Sequence, residues 1–445
     1  MNDEPVFDLI EIALAKGAGA AEIYRIEQES TLVDIKLGKI DSLSRERQVG
    51  IGLRVLEKQR IGFVFASHWG GWNGDALIDK ALAAARASHP DPFLRIPPPP
   101  PSPYPELEVY DPSLKTMGLA ERVHFARMVE DTARRFDSRV SKIRHCLYRD
   151  SDYTAQIRNS HGLKVQARGT HCTCSLEVVA EEKGSSEMGW DMQSSSFFSD
   201  LQAEDVGRRA AEQAVLMLGA KVLPTTVAEA IFSPATAADF LEVISSALKA
   251  DAVQKGKSLF KDQVASKVAA DGLTLVDDGL LPQGSNSFPF DDEGIPSQRT
   301  PLIERGILRG FLYDSYWGGR EGKPSTGNAR RAGFQSPPQI SATNLYPVPG
   351  RRTKEEMVRD VSKGALILSL MGIHTANPIS GDFSVGVEGL WIEGGKFHLP
   401  FRGMTIAGNI RDWLRSLEEV GSDLRFFGSH GSPSLWASKI QFAGS

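Results

Sequence analysis

Apolar positions along this 445-residue chain recur with two different periods, and the elements change where the period changes. Near the start, Phe7, Ile10 and Leu14 share one helical face, and Gly17 supplies a C-terminal stop. Val33, Ile35 and Leu37 then alternate with Asp34, Lys36 and Gly38, the two-residue period of a half-buried strand. The runs GIGLRVL (50–56) and IGFVFAS (61–67) flank Glu57-Lys58-Gln59-Arg60 as a hairpin. Leu77, Ile78, Ala81, Leu82 and Ala85 return to the helical period. Antiparallel strands flanked by helices, with no βαβ series, predict an α+β domain over 1–95. The run IPPPPPSPYP (96–105) cannot enter a sheet or a helix interior, so it predicts a stiff, extended interdomain linker. A PxxP docking ligand is the other use of such a run, but no other feature of the chain points to signalling.

A second α+β unit is expected over 106–222. It has a helix at 119–135, a strand entering a turn over 154–162, strand-like sequence from Lys164 to Ala180 and a closing helix from Val206 to Leu218. The third unit, 223–445, is rich in glycine and short strands. Ser233 and Pro234 suit the N-cap and first position of a helix whose Leu241, Ile244 and Leu248 share a face. Leu302-Ile303 and Ile307-Leu308 flank Glu304-Arg305-Gly306, where Gly306 permits the positive φ of a tight hairpin. A helix is expected over 355–364, and another begins at the N-cap Asn409 with Ile410, Trp413, Leu414 and Leu417 on its apolar face. An alternating strand over 434–442 ends the chain. The expected fold class is α+β: two smaller α+β units followed by a large, mostly antiparallel, barrel-like β domain.

Composition narrows the function classes. Hydrophobic residues at 41% and charged residues at 24% exclude a largely disordered chain. Lys+Arg 51 against Asp+Glu 56 leaves a net charge of −5, which argues against sequence-independent nucleic-acid binding. The pairs Arg330-Arg331 and Arg351-Arg352 leave room for a local basic patch, although short basic pairs are usually solvated surface and are expected to be so here. No apolar run approaches the length of a membrane span, and the acidic residues before the first apolar stretch do not suit a signal peptide. Three cysteines, an odd number in a long chain, point to a reducing compartment, the cytoplasm being the simplest.

The polar clusters offer several candidate sites. His145-Cys146 and His171-Cys172-Thr173-Cys174 look metal-like, but Cys172 and Cys174 would share one face of a strand, which favours core packing over a structural zinc site. The acidic turn Asp291-Asp292-Glu293-Gly294 suits either a hard cation or carboxylates accepting backbone N–H groups, and it lacks the spacing of an EF-hand loop. Ser325-Thr326-Gly327-Asn328 has no histidine nearby in sequence, His374 and His398 being distant, and is read as polar caps in a Gly-rich connector. Gly381-Asp382 is expected to form a tight turn with Asp382 bonding the backbone ahead of it. No phosphate-binding Gly loop with the required Lys is present.

The stretch Asn286–Tyr316, together with Ser325–Asn328 and Gly381-Asp382-Phe383-Ser384, resembles the C-terminal half of the TldD/PmbA family, also known as TldE or modulator-of-gyrase proteins. Catalytic members carry an HExxxH zinc helix just before a segment that resembles Lys255–Ser258 and Thr274–Gly279. By that resemblance the motif falls on 241–246, where Leu241 and Ser246 replace the histidines and only Glu242 remains. Leucine cannot bind zinc, a serine hydroxyl is a poor ligand, and a general base without metal-bound water has little to act on. A further cysteine ligand is expected near the family's C-terminus, and the matching region, Phe426–Gly431, offers only His430. The resemblance implies a TldE/PmbA-type subunit with no catalytic residue and no metal of its own. Zinc would sit in a TldD-like, HExxxH-bearing partner, and the substrate would be unfolded peptide, including small precursors to be matured. Asp291, Asp292, Glu293, Gly294, Ser325, Thr326, Gly327, Asn328, Gly381 and Asp382 are the candidate substrate-contacting or structural residues. Two other readings stand beside it. One is a homodimeric peptide-binding or regulatory protein, and the other a divergent hydrolase built on Glu242, Asp291 and Asp292, which lacks any group to activate water.

Overall fold

The computed structural model describes residues 4–67 and 73–444. After α1 (Glu4–Ala15), the chain meanders through β1 (Ala20–Lys36), β2 (Lys39–Glu57) and β3 (Arg60–Ser67). The turns are Leu37-Gly38 and Lys58-Gln59, all four residues at positive φ, as two-residue hairpin loops demand. Then come α2 (Gly74–Ala87), α3 (Ser113–Thr116), α4 (Leu119–Phe136), β4 (Val140–Asn159), β5 (Lys164–Glu182), β6 (Ser185–Ser195) and α5 (Ala203–Leu216). The six strands form one sheet in the order β3-β2-β1-β4-β5-β6. Helices cover one face. α1 and α2 pack on Ile23, Ile51, Leu53 and Val55, and α4 and α5 pack on Tyr148, Leu176 and all three cysteines.

Three features differ from the sequence expectation. β1 pairs with β4 from Glu22–Asn159 to Asp34–Leu147, so units 1–95 and 106–222 share a single sheet. β1, β2, β4 and β5 are also 17 to 20 residues long, far beyond their apolar stretches. Their polar halves are held by cross-strand ion pairs such as Arg47–Glu27 (2.6 Å) and Arg45–Glu29 (3.6 Å), which leave no apolar alternation to read. Nor is 96–105 a free spacer. Ile96 is buried, Asn159 Nδ2 donates to the Pro97 carbonyl (2.8 Å), and the Tyr104 hydroxyl donates to the Gly294 carbonyl (2.8 Å). Proline removes donors but leaves carbonyls and apolar rings, enough to pin an extended strap.

The C-terminal half runs β7 (Thr226–Phe232), α6 (Pro234–Ala247), α7 (Ala250–Gln254), β8 (Leu275–Asp278), β9 (Arg299–Glu304), β10 (Ile307–Leu308), α8 (Ser315–Glu321), β11 (Ala329–Arg330), β12 (Gln339–Ile340) and β13 (Leu345–Pro347). It continues through α9 (Lys354–Asp360), β14 (Lys363–Met371), β15 (Asp382–Glu393), β16 (Lys396–Asn409), α10 (Ile410–Arg415), β17 (Leu417–Val420), β18 (Arg425–Phe427), β19 (His430–Ser432) and β20 (Leu435–Ala443). β16-β15-β14-β7-β20 close into a barrel through the pairing of β16 with β20. A second curved sheet, β10-β9-β8-β13-β19-β18, lies beside it, and the largest core joins the barrel, α6 and this sheet. At its centre Phe240 of α6 stacks on Trp413 at 4.6 Å, with Phe232 edge-on to both. The barrel-like, mostly antiparallel expectation holds, with parallel pairing at β7–β14 and β13–β19. The face of the first sheet opposite its helices packs Tyr24, Ala155 and Ile157 against Phe288, Phe290 and Phe334 of the second half. No helix among the described residues is long and apolar enough to cross a membrane.

Candidate functional site

α6 forms where the sequence placed it, with Ser233 at the N-cap position and Pro234 leading the helix. The Ser233 hydroxyl makes no capping bond and instead meets the Thr236 hydroxyl at 3.2 Å. Leu241 is 1% exposed and belongs to the central core, whereas Glu242 and Ser246 face solvent. Ser246 Oγ donates back to the Glu242 carbonyl at 3.4 Å. At 3.6 residues per turn, positions five apart lie about 140° apart around the axis, which is why one points inward and the other out. Asp239, on the same helix, is pushed up to about 6 by burial and by the charge of Glu242.

β19 packs against α6 and carries His430. Burial, assisted by the Lys249 ammonium, pushes His430 down to about 4, so its ring is neutral at pH 7. Its Nδ1 meets Ser429 Oγ at 3.4 Å, and among the described residues its buried Nε2 has no hydrogen-bond partner. Among the described residues, no three of His, Cys, Asp or Glu gather in a way that could hold a metal ion. The cysteines lie in the α4–α5 core, where burial lifts the Cys174 thiol to about 12. The donor set around α6 does not fit a zinc centre.

The acidic turn lies inside the protein. Asp291 Oδ1 accepts from the backbone N–H groups of Glu293 and Ile295 (both 2.9 Å), and its Oδ2 accepts from Ala329 N (3.0 Å). Asp292 Oδ2 accepts from Arg331 N at 2.6 Å. Glu293 Oε1 takes a bond from Arg54 Nη1 (3.1 Å) and Oε2 one from Ser315 N (2.9 Å). Arg54 also forks onto Glu22 (2.9 and 2.8 Å), and Arg331 Nη2 reaches the same carboxylate at 2.9 Å. Burial alone would push the Arg54 guanidinium down, but Glu22 and Glu293 outweigh it and hold it above its ordinary value. Asp291 is shifted upward by burial and by the Glu293 charge. The expectation that Arg330-Arg331 is solvated surface therefore fails for Arg331, whose side chain is fully buried against Glu22.

Ser325 Oγ donates to the Tyr313 carbonyl and accepts from Gly327 N, both at 3.1 Å. Thr326 Oγ1 accepts from Tyr313 N at 2.8 Å. Asn328 Nδ2 donates to Asp277 Oδ2 (2.7 Å) and to the Ser341 carbonyl (3.0 Å). Gly327 sits at φ +73°, where a Cβ would lie 2.7 Å from the Pro296 carbonyl. Ser325–Asn328 thus lies against the acidic turn, linked by Asp292 N donating to the Ala329 carbonyl at 2.8 Å. Asp382 belongs to neither group and is exposed. It does not bond the backbone ahead of it, because it opens β15 directly opposite Asn409, whose Nδ2 reaches its Oδ1 at 2.9 Å.

Glu22, Arg54, Arg331 and Asp314 are the members of this network that sequence reasoning missed. One signal was available: Arg54 is the only charge in GIGLRVL, and hairpin register sets it opposite Glu22. Asp314 caps α8 by accepting from Trp317 N at 2.7 Å, and burial with the Glu293 charge pushes it from 3.8 up to about 7. A raised carboxyl stabilises the fold most when protonated, so this contribution is present below about pH 4 and lost as pH rises through about 7. Asp314→Asn keeps the capping oxygen and removes the titration. The variant is expected to lose less stability than the parent between pH 5 and 8, by on the order of 2 kcal/mol, in paired urea titrations. Parallel pH profiles for the two proteins would refute this.

Comparison with known proteins places the geometry. The family model described as the PmbA/TldA metallopeptidase C-terminal domain matches residues 225–444, the central-domain model matches 112–218 and the domain 1 model 21–88. Metalloprotease PmbA of Escherichia coli O157:H7 is 26% identical, covering 99% of this chain and 96% of its own. A metalloprotease TldD homolog of Buchnera aphidicola is 24% identical over 96% of this chain and 90% of its own. A solved structure from Thermotoga maritima, described as a modulator of a DNA gyrase, superposes with a TM-score of 0.92 at 25% identity and covers 100% of both chains. TldE of Thermococcus kodakarensis shares the fold, with a TM-score of 0.90 at 23% identity, covering 99% of this chain and 100% of its own.

Proposed function

The chain belongs to the PmbA/TldD metallopeptidase family, and from that membership we propose that it is a non-catalytic, TldE-type subunit of a zinc peptidase acting on unfolded peptides in the cytoplasm. The observation that carries this reading is α6, where the two motif positions hold a core leucine and an outward serine. This chain binds no zinc. The metal, and the activated water it supplies, belong to an HExxxH-bearing partner. The contribution of this chain is a wall of the peptide channel, since a sheet-rich surface can hold an extended peptide through main-chain hydrogen bonds with little regard to sequence. The acidic turn and Ser325–Asn328 are structural in this reading: the carboxylates accept from backbone N–H groups and Arg54, and Ser325 and Asn328 donate to the Tyr313 carbonyl and to Asp277.

The test is cleavage of an unstructured peptide by the chain alone and mixed with an HExxxH-bearing homologue. Chelator-sensitive cleavage in the mixture only is the expected result. Chelator-sensitive cleavage by the chain alone would overturn the assignment.

A further inference from the structure

Successive residues of β4 and β5 point to opposite faces of the first sheet. Cys146, Tyr148, Cys172 and Cys174 face the helices, so Leu147, Arg149, Ser151, His171 and Thr173 lie on the other face. The second half of the chain packs on that face around Tyr24, Ala155 and Ile157. Beyond this contact the sheet carries a cavity of about 500 Å³, within the range of small-molecule sites. Arg149 stands in it, exposed, with Leu32 directly opposite on β1 and Thr173 directly opposite on β5. No carboxylate lines the cavity, and among the described residues the Arg149 side chain has neither an ion pair nor a hydrogen bond. Arg168, on the helix-facing side of β5, shows the contrasting case, paired with Asp152 at 2.9 Å. Ser151 is buried beside Arg149, and its hydroxyl has no hydrogen-bond partner among the described residues. Opposite Ser151 lies His171, whose Nε2 meets Thr173 Oγ1 at 2.9 Å. Burial and the Arg149 charge hold this imidazole below its ordinary value, so it is neutral at pH 7.

We propose that this cavity binds the carboxylate end of a peptide whose last residue is apolar. A guanidinium presents parallel N–H donors that match the two oxygens of a carboxylate, and the Ser151 hydroxyl adds a further donor. With His171 neutral, the lining carries one positive charge, which balances a monoanion and leaves a phosphate dianion underbalanced. Leu32 and Leu147 stand on either side of the guanidinium as apolar walls. A phosphate gains nothing from them, whereas the side chain next to an α-carboxylate is drawn out of water there. A free apolar carboxylic acid shares this chemistry, and the peptide is preferred because it is the substrate class of the channel reading. The proposal deepens that reading and rests on it for the peptide. Its test needs neither a partner subunit nor zinc. Failure here therefore leaves the non-catalytic subunit standing, and a lack of cleavage with the partner leaves this site standing.

The probe is an unstructured peptide ending in leucine, labelled at its N-terminus and followed by fluorescence anisotropy on the full chain. The free acid is expected to bind, and its C-terminal amide to bind about tenfold more weakly or worse, the loss of a hydrogen-bonded charge. Arg149→Met is expected to weaken the free acid by the same factor and Arg149→Lys to keep part of the affinity. Arg208→Met, a change of a surface arginine on α5, is expected to alter nothing. N-acetylleucine is expected to displace the peptide, and inorganic phosphate at equal concentration to leave it bound. No binding of the free acid, equal binding of acid and amide, or indifference to Arg149→Met would each overturn the proposal. Displacement by phosphate as effective as that by N-acetylleucine would reduce the cavity to a general anion site and overturn the choice of ligand. Calorimetric binding of N-acetylleucine without binding of the peptide would overturn the peptide as the source of the carboxylate. Circular dichroism on the Arg149→Met protein separates lost binding from lost folding, and the acid–amide comparison needs no variant.

Discussion

Replacing Glu22 with alanine is expected to destabilise the protein by about 3–5 kcal/mol, the cost of removing one partner from a buried ion pair. Glu22 is fully buried, and two guanidinium groups converge on it, those of Arg54 and Arg331. Arg54 would keep Glu293, and Arg331 would keep the nearby Asp292 charge, the Tyr24 ring at 4.9 Å and the bond from its Nη1 to the Ser336 carbonyl at 3.0 Å. Both guanidinium groups are buried, so the penalty is the lost solvation of charge left without its carboxylate. The contrasting case is Glu57, whose partner Arg86 lies 60% exposed. Its replacement by alanine should cost far less, as surface pairs do. Urea denaturation of both variants measures the difference directly. A Glu22→Ala protein within about 1 kcal/mol of the parent would mean that the network is hydrated or relaxes.

That network joins β1 and β2 of the first sheet to the acidic turn and to the segment after Ser325, and it explains what the sequence could and could not reveal. The acidic turn was visible as three consecutive acids, but its two readings stayed open because the donors that decide between them come from elsewhere. Arg54 lies about 240 residues away in sequence, and no local spacing rule reaches that far. Elements with a strong apolar period were legible, among them α2, α4, the β2–β3 hairpin and the last strand. The polar halves of β1 and β2 were not, since their pairing rests on cross-strand charges and not on alternation. The shared sheet was hidden for a related reason. The proline run breaks secondary structure locally, yet β1 and β4 pair across it.

Histidines placed at both motif positions of α6 are expected to leave the protein without a zinc site and less stable by about 2–4 kcal/mol. The loss comes from Leu241→His. Leu241 is buried among apolar side chains of the central core, and an imidazole there loses the packing of the leucine and leaves a ring N–H without an acceptor. Ser246→His by itself, on the exposed face, should stay within about 0.5 kcal/mol of the parent. A metal centre needs converging ligands, and α6 points these two positions in different directions, with neither a cysteine nor a carboxylate cluster opposite among the described residues. The measurement is zinc content after dialysis, taken together with the denaturation midpoint of each single variant and of the double variant. One tightly held zinc per chain in the double variant would show that α6 can reshape around a metal. Two side chains would then separate this helix from a metal-binding one. The expected outcome, no zinc and a weakened core, means instead that this helix has been repacked as a structural element, with Phe240 stacked on Trp413 and Leu241 behind it.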